Sequence, residues 1–477
     1  MQTRALTSVD VGRMSLERFA GVLLPEKLEE VRAGILEARR VFAGRTVWNV
    51  SSTAVGGGVA EMIQALLGYV ADLEIASRWM VITGDAGFFV ITKRLHNQLH
   101  GDLSDGVLTA ADAGRYARML AGNAVELLGY VQPGDLVLLH DPQTAGLTEY
   151  LTHAGALVAW RSHIGVDWQD EATEAAWSFL LPNLVGARGF VFSRREYVPR
   201  QIPDDKVAII PPSIDPFSPK NKLLDDDTVR AALSTVGVLD GPAPREPAAF
   251  TRRDGSVGYV TQRAEITGDG RPHPDDRLVV QVSRWDRLKD MPGVMRGFAE
   301  HVAPACDAYL VLAGPAVAGV ADDPEGAAVF AECLLQWRDL PARVRERILL
   351  VTLPLDDPDE NAAMVNALQR HATVIVQKSL AEGFGLTVAE GMWKGRPVVG
   401  SAVGGIIDQI VPGTGILLPD PRNLEDFGAA VRRLLENPDE ADRMGRAAQA
   451  HITRGYVGDQ QLLRYAKLFA AIMERPG

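Results

Sequence analysis

Two glutamates separated by seven residues stand on either side of a glycine turn in the run Ser379-Leu380-Ala381-Glu382-Gly383-Phe384-Gly385-Leu386-Thr387-Val388-Ala389-Glu390. The apolar, β-branched stretch 373–377 before it reads as a buried strand, and Leu386, Ala389, Met392 and Trp393 follow at helical spacing. Glu382 is therefore expected in the loop, where a carboxylate accepts hydrogen bonds from sugar hydroxyls. The amides of Phe384, Gly385 and Leu386 are expected as first-turn donors that suit a phosphate. Gly383 belongs to the same turn, and Glu390 falls about one and a half turns into the helix. The plainer alternative makes Glu382 a charge favoured by the helix dipole and Glu390 a solvated helix residue.

A second element weighs against that alternative. Ser283-Arg284-Trp285-Asp286-Arg287-Leu288-Lys289-Asp290 follows the apolar strand 278–282. In open α/β sheets, ligands bind beyond the carboxyl ends of the strands, where Arg284 and Lys289 would project. A planar guanidinium and a mobile ammonium together can neutralise a departing diphosphate. In the first half, the strand 45–50 runs into Gly56-Gly57-Gly58, and an apolar helical face begins at Val59. Backbone without Cβ at Gly57 and Gly58 can approach a phosphate closely, although three glycines also make an ordinary flexible turn. The spacing is not GxGxxG, which argues against a dinucleotide-dependent oxidoreductase. His140-Asp141-Pro142-Gln143 and Arg161-Ser162-His163 each end an expected strand. Asp141 can accept a hydrogen bond from an acceptor hydroxyl and His163 can orient a donor sugar. Such residues at strand ends also serve as structural caps.

The elements that must position these residues alternate strand and helix, the pattern of doubly wound α/β domains. Strands are expected at 45–50, 79–83, 135–140, 157–162, 189–192 and 207–210, then at 278–282, 309–313, 348–353, 373–377, 397–401 and 415–418. The Pro-rich run Ile210-Pro211-Pro212-Ser213-Ile214-Asp215-Pro216 cannot continue a helix or a central strand. It places the end of a first domain at 1–215, with 216–276 as a linker or excursion. A second domain at 277–455 and a last helix at 456–477 complete the expected organisation.

At 477 residues the chain exceeds a single core, and 47% apolar with 23% charged residues is ordinary for a globular protein. A net charge of −12 argues against broad binding to nucleic acid or an anionic membrane. Cys306 and Cys333 sit in apolar surroundings and read as two buried thiols. No metal-ligand spacing occurs among the histidines, and Asp225-Asp226-Asp227 reads as a helix start, so no metal site is expected. With no apolar leader and no long apolar run, a cytoplasmic protein outside the membrane is expected.

On Glu382 and Glu390 with Arg284 and Lys289, the chain resembles the retaining glycosyltransferases of family 4. The phrases Asn49-Val50-Ser51-Ser52-Thr53-Ala54-Val55-Gly56-Gly57-Gly58, Val81-Ile82-Thr83-Gly84-Asp85, His140-Asp141-Pro142-Gln143, Trp160-Arg161-Ser162-His163 and Pro212-Ser213-Ile214-Asp215-Pro216 bring it nearer to the trehalose synthases of the glycosyltransferring type. The resemblance implies a GT-B architecture, two Rossmann-like domains facing across a cleft that closes on its substrates. It implies reversible, retaining glucosyl transfer from a nucleoside-diphosphate glucose to glucose, giving trehalose, with no permanently bound cofactor, no metal and a homodimeric state. Glu382 would hold donor hydroxyls, Glu390 the ribose, and Arg284 and Lys289 the diphosphate. Asp141 and His163 would line the cleft, with Asn49 and Asp85 as further acceptor-side residues. The chain departs from that pattern at Ala381 and Gly391, where relatives carry arginine and alanine, and in reading Ile407-Asp408-Gln409 after Gly404-Gly405-Ile406. A trehalose phosphorylase, a family 4 enzyme with another acceptor, and a non-catalytic sugar-nucleotide-binding regulator are the competing readings.

Overall fold

The structure is a computed structural model that describes residues 6–23, 25–54, 58–241, 245–316 and 324–475. Gly57 lies outside the described residues. The chain separates into two compact units, one running to Ser213 and taking up the chain again from Tyr456, the other spanning Ile214–Gly455.

Unit 1 is built on β1 (Leu6–Val9), β2 (Val47–Ser51), β3 (Ser77–Ile82), β4 (Leu136–His140), β5 (Leu157–Arg161), β6 (Gly189–Phe192) and β7 (Val207–Ile209). They form one sheet in the order β1-β3-β2-β4-β5-β6-β7. All neighbours are parallel except β1, which runs antiparallel to β3 at the edge. Every residue of β2 and β4 is buried, with no alternation of buried and exposed positions, as a sheet covered on both faces requires; Asn49, Ser51 and His140 are the polar members of otherwise apolar strands. The helix Gly458–Glu474 belongs to this unit and buries Leu462, Leu463, Tyr465, Leu468, Phe469 and Ile472. The Phe469 ring meets Phe42 edge-on at 6.0 Å between centroids.

Unit 2 contains β8 (Ala249–Thr251), β9 (Val257–Tyr259), β10 (Glu265–Thr267), β11 (Leu278–Val282), β12 (Tyr309–Pro315), β13 (Ile348–Leu353), β14 (Val374–Gln377), β15 (Val398–Ser401) and β16 (Ile416–Leu418). The main sheet runs β10-β13-β12-β11-β14-β15-β16, again parallel apart from the edge strand β10. The order of its parallel strands is that of a Rossmann fold. In each unit the first parallel strand, β2 or β11, lies between its chain successor and a later strand. The helices on its two sides must cover opposite faces, which opens a crevice beyond the carboxyl ends of β2 and β4 and of β11 and β14.

The stretch expected as a linker or excursion, 216–276, is folded into unit 2. Asp225 caps the helix Asp226–Val236 by accepting from the Thr228 amide at 2.8 Å, and Gly237 ends it in a left-handed conformation. β10 extends the sheet along β13, and the β8–β9 hairpin is tied to the helix Pro358–His371. Its Arg252 forks onto Asp357 at 2.6 and 3.0 Å, and Glu360 accepts from the Thr261 and Gln262 amides at 2.5 and 2.7 Å. β8, β9 and β10 bury at most one residue each, so no apolar run marks them in the sequence. No helix among the described residues is long and apolar enough to cross a membrane.

Candidate functional site

In unit 2 the loops that leave β11 and β14 meet at the switch point. The Leu380 amide donates to the Leu288 carbonyl at 2.7 Å, stitching the two loops together. Lys289 and Glu382 then face each other, Nζ to Oε2 2.6 Å, with side chains 16% and 11% exposed. Ser379 Oγ adds a donor to the same carboxylate oxygen at 3.2 Å. Behind them the carboxamides of two strand-end glutamines hold the loops. Gln281 donates to the Lys289 carbonyl at 2.8 Å, and Gln377 donates to Ser379 Oγ at 3.0 Å while accepting from Thr387 at 3.1 Å. Arg284 remains 59% exposed beside Asp286, available to an anion.

Gly385 caps the helix Leu386–Trp393 with φ +85°, a conformation that lets the chain turn from the Glu382 loop directly into the first helical turn. Gln409, which departs from the family pattern, is fully buried and donates to the carbonyls of Phe384 and Gly405 at 2.5 and 3.1 Å, so it fixes that loop. A Cβ at Gly391 would come within 2.7 Å of the terminal methyl of Ile375 on β14, which would have to turn aside to admit alanine.

Glu390 is not solvated. Its side chain is 6% exposed, 3.6 Å from Lys220 Nζ, with Gln369 donating to it at 3.4 Å. Lys394, one turn on, is buried against the Asn221 side chain at 3.0 Å and the Glu390 carbonyl at 3.2 Å. Burial holds the Lys394 ammonium down to about 7, against the raising effect of Glu390.

In unit 1, Asp141 follows β4 with φ +63°, a strained conformation for a residue with a Cβ. Its backbone is held by the Arg161 carbonyl, which accepts from the Asp141 amide at 2.8 Å, and by the Trp160 indole, which donates to the Asp141 carbonyl at 3.0 Å. Its Oδ1 accepts from the His163 amide at 2.7 Å. Burial pushes the carboxyl up to about 7, with that amide and Arg161 opposing the rise. The expected residues Asn49, Asp141 and His163 therefore gather around the ends of β2, β4 and β5. His140 Nδ1 is 3.1 Å from His163 Nε2, and His140 Nε2 is 3.0 Å from Asn49 Oδ1. The two ring planes lie within 12° of parallel. Asn49 is only 2% exposed and spends its oxygen on His140, so it braces the site from inside.

Asp85 stands apart from that cluster. It caps the helix Ala86–Leu99 through the Phe88 amide at 2.8 Å and pairs with Arg115 at 2.9 Å, on the surface. Gly58 opens the helix Gly58–Asp72 after β2. Sequence reasoning missed His140, Arg161, Lys378 and Lys220. The signal at Arg161 was a charge inside an apolar strand, and at Lys378 a charge directly after one; such charges need partners.

Comparisons with known proteins bear on the family and the fold. Residues 49–199 match the family described as Trehalose synthase, N-terminal domain, and residues 353–451 match Glycosyl transferases group 1. A trehalose synthase from Pyrococcus horikoshii is 30% identical over 97% of this chain and 97% of its own length. A trehalose phosphorylase from Grifola frondosa is 24% identical over 87% of this chain and 56% of its own. Among solved structures, a UDP-forming alpha, alpha-trehalose-phosphate synthase from Burkholderia xenovorans superposes with a TM-score of 0.66 at 16% identity, over 90% of this chain and 99% of that one.

Proposed function

From a chain that belongs to the trehalose synthase family, a glycosyl-transferring enzyme of GT-B fold, we infer reversible glucosyl transfer between a nucleoside-diphosphate glucose and glucose, forming trehalose with retention at the anomeric carbon. The observation that carries this reading is the Lys289–Glu382 contact at the switch point of unit 2. A cation for the leaving phosphate and a carboxylate for sugar hydroxyls sit side by side there, with Arg284 exposed next to them.

When donor enters, Glu382 exchanges Lys289 for glucose hydroxyls, and Lys289 with Arg284 turns to the diphosphate. As the C1–O bond lengthens, positive charge grows on the sugar ring and negative charge on the departing phosphate. Cations already in place stabilise that separation without reorganising, the kind of contact worth about 10²–10³ in rate. Asp141 holds the acceptor glucose, whose hydroxyl attacks from the face the diphosphate leaves and gives its proton to that phosphate. Glu390 takes the ribose only by leaving Lys220 and Gln369, so its share depends on that small rearrangement.

The test is to incubate the full chain with trehalose and each nucleoside diphosphate in turn, with inorganic phosphate in parallel, and to score glucose and activated glucose. Release with a diphosphate supports the synthase reading and names the base. Release with phosphate alone would make the chain a phosphorylase, the activity named for the more distant fungal relative. No release in any mixture would overturn the trehalose reading.

A further inference from the structure

Arg161, at the end of β5, is fully buried, and among the described residues no carboxylate hydrogen-bonds to it. Its Nε lies 3.1 Å from His163 Nδ1, one terminal nitrogen donates to the Tyr465 hydroxyl, and the other donates to the Ile210 carbonyl at 3.1 Å and sits 4.0 Å from Met62 Sδ. A guanidinium offers only N–H donors and does not deprotonate, so His163 Nδ1 has to be the acceptor. The proton of neutral His163 is then on Nε2, pointing at His140 Nδ1, which accepts in turn. His140 carries its own proton on Nε2 and donates to Asn49 Oδ1. The opposite direction would set an N–H of His163 against the N–H of Arg161.

We propose that Arg161 is a positioning residue for the acceptor side of the reaction, acting through His163: it locks His163 and His140 as neutral Nε2–H tautomers and thereby holds the His163–Asp141 contact in place. The proposal rests on the reading in which Asp141 binds the acceptor. An imidazolium at His163 would donate from both nitrogens, so it would break the contact with Arg161 and put two positive charges side by side. The titratable and charged groups facing His163 and its partners are Arg161, His140, Asp141 and Tyr465. Burial, reinforced by Arg161, lowers His140 to about 3 and holds His163 well below its ordinary value, in keeping with a neutral pair.

Nitrogen-15 NMR of histidine-labelled full-length protein reads the tautomers without substrate, with His163→Gln and His140→Gln used only to assign the two rings. The expected result is an Nε2–H pattern for both, unchanged between pH 5.5 and 8. Arg161→Gln, whose amide can accept as well as donate, is expected to admit the Nδ1 proton of His163 and to add a second protonation to the acidic limb that Asp141 already gives transfer, steepening its fall at low pH by up to about tenfold per pH unit. Arg161→Lys, which keeps a charged donor, is expected to stay closer to the wild-type slope. A wild-type His163 that carries its proton on Nδ1 or titrates near its ordinary value overturns the proposal, even if every Arg161 variant fails to fold. So does an Arg161→Gln protein with unchanged tautomers and pH profile. Absence of trehalose chemistry in a protein whose tautomers are as stated would instead count against the reaction assigned to the site.

Discussion

The Lys378 ammonium, four residues before Glu382, is fully buried and meets the carboxylate of Asp290, one residue after Lys289. Two oppositely directed ion pairs thus span the β11 and β14 loops, one facing the site and one behind it. Asp290 also accepts from the Gly293 amide at 3.2 Å and adopts φ +48°. A Cβ at Gly293 would come within 2.2 Å of that carboxylate, so any larger residue there would have to push it aside.

Lys378→Met is therefore expected to cost about 3–5 kcal/mol, since it strands Asp290 without its counter-ion. Adding Asp290→Asn should recover at least half, because asparagine tolerates the left-handed conformation and keeps the cap. Denaturant midpoints of the two single variants and the double form the check. A double variant as unstable as the sum of the singles would mean that the pair is not coupled.

At the front pair, Glu382→Gln keeps the shape and removes the charge. Transfer is expected to fall by about 10²-fold or more, with a small change in thermal midpoint. Lys289→Ala should cost a similar factor, and the double variant should be little worse than either, because groups that act as a unit are not additive. Steady-state kinetics on the four proteins decides it. Fully additive losses would show that Lys289 and Glu382 work on separate events.

Much of this arrangement was legible in the sequence. The strands of both parallel sheets were readable because they are buried on both faces and so are mostly apolar without alternation, as at residues 278–280 and 136–139. The Glu382 loop was readable because Gly383 and Gly385 mark a turn between a strand and a helical face. β1, β8, β9 and β10 were not, since each pairs antiparallel and buries at most one residue, so no apolar run marks it. Lys378 and Arg161 were passed over for a related reason. Their partners lie 88 positions away for Lys378, and at Tyr465 for Arg161, and no local pattern records such distances.

Lys394 offers a test of the buried cluster around Glu390. Its folded-state pKa of about 7 lies below the ordinary value of 10.5, so between those limits the unfolded chain holds a proton that the folded chain does not. Stability should accordingly rise with pH across that window, by at least about 1 kcal/mol between pH 7.5 and 9.5, and be lost as pH falls through 7. Lys394→Met should flatten the rise, whatever it does to absolute stability. Denaturant titrations at the two pH values measure this. An identical slope in the variant would place the dependence elsewhere.

Asp141 gives the opposite sign. Its carboxyl is raised from 3.8 to about 7, so over that interval the folded protein keeps a proton that the unfolded chain has released. The associated stability is present below about pH 4 and is lost as pH rises through 7. Asp141→Asn retains an oxygen for the His163 amide and cannot ionise. It should therefore gain on the wild type as pH rises from 4 to 8, by an amount on the order of 1 kcal/mol. Activity should move the other way: the acceptor hydroxyl loses a charged partner, so KM for glucose rises and kcat falls. In the wild type, kcat/KM for glucose should climb with pH up to about 7 and then level. A carboxylate kept expensive in the free protein is one that a hydroxyl donor relieves, so a variant more stable at pH 8 and weaker toward glucose would tie the strain at Asp141 to acceptor binding. A variant less stable at every pH would show that the aspartate is there to hold its loop.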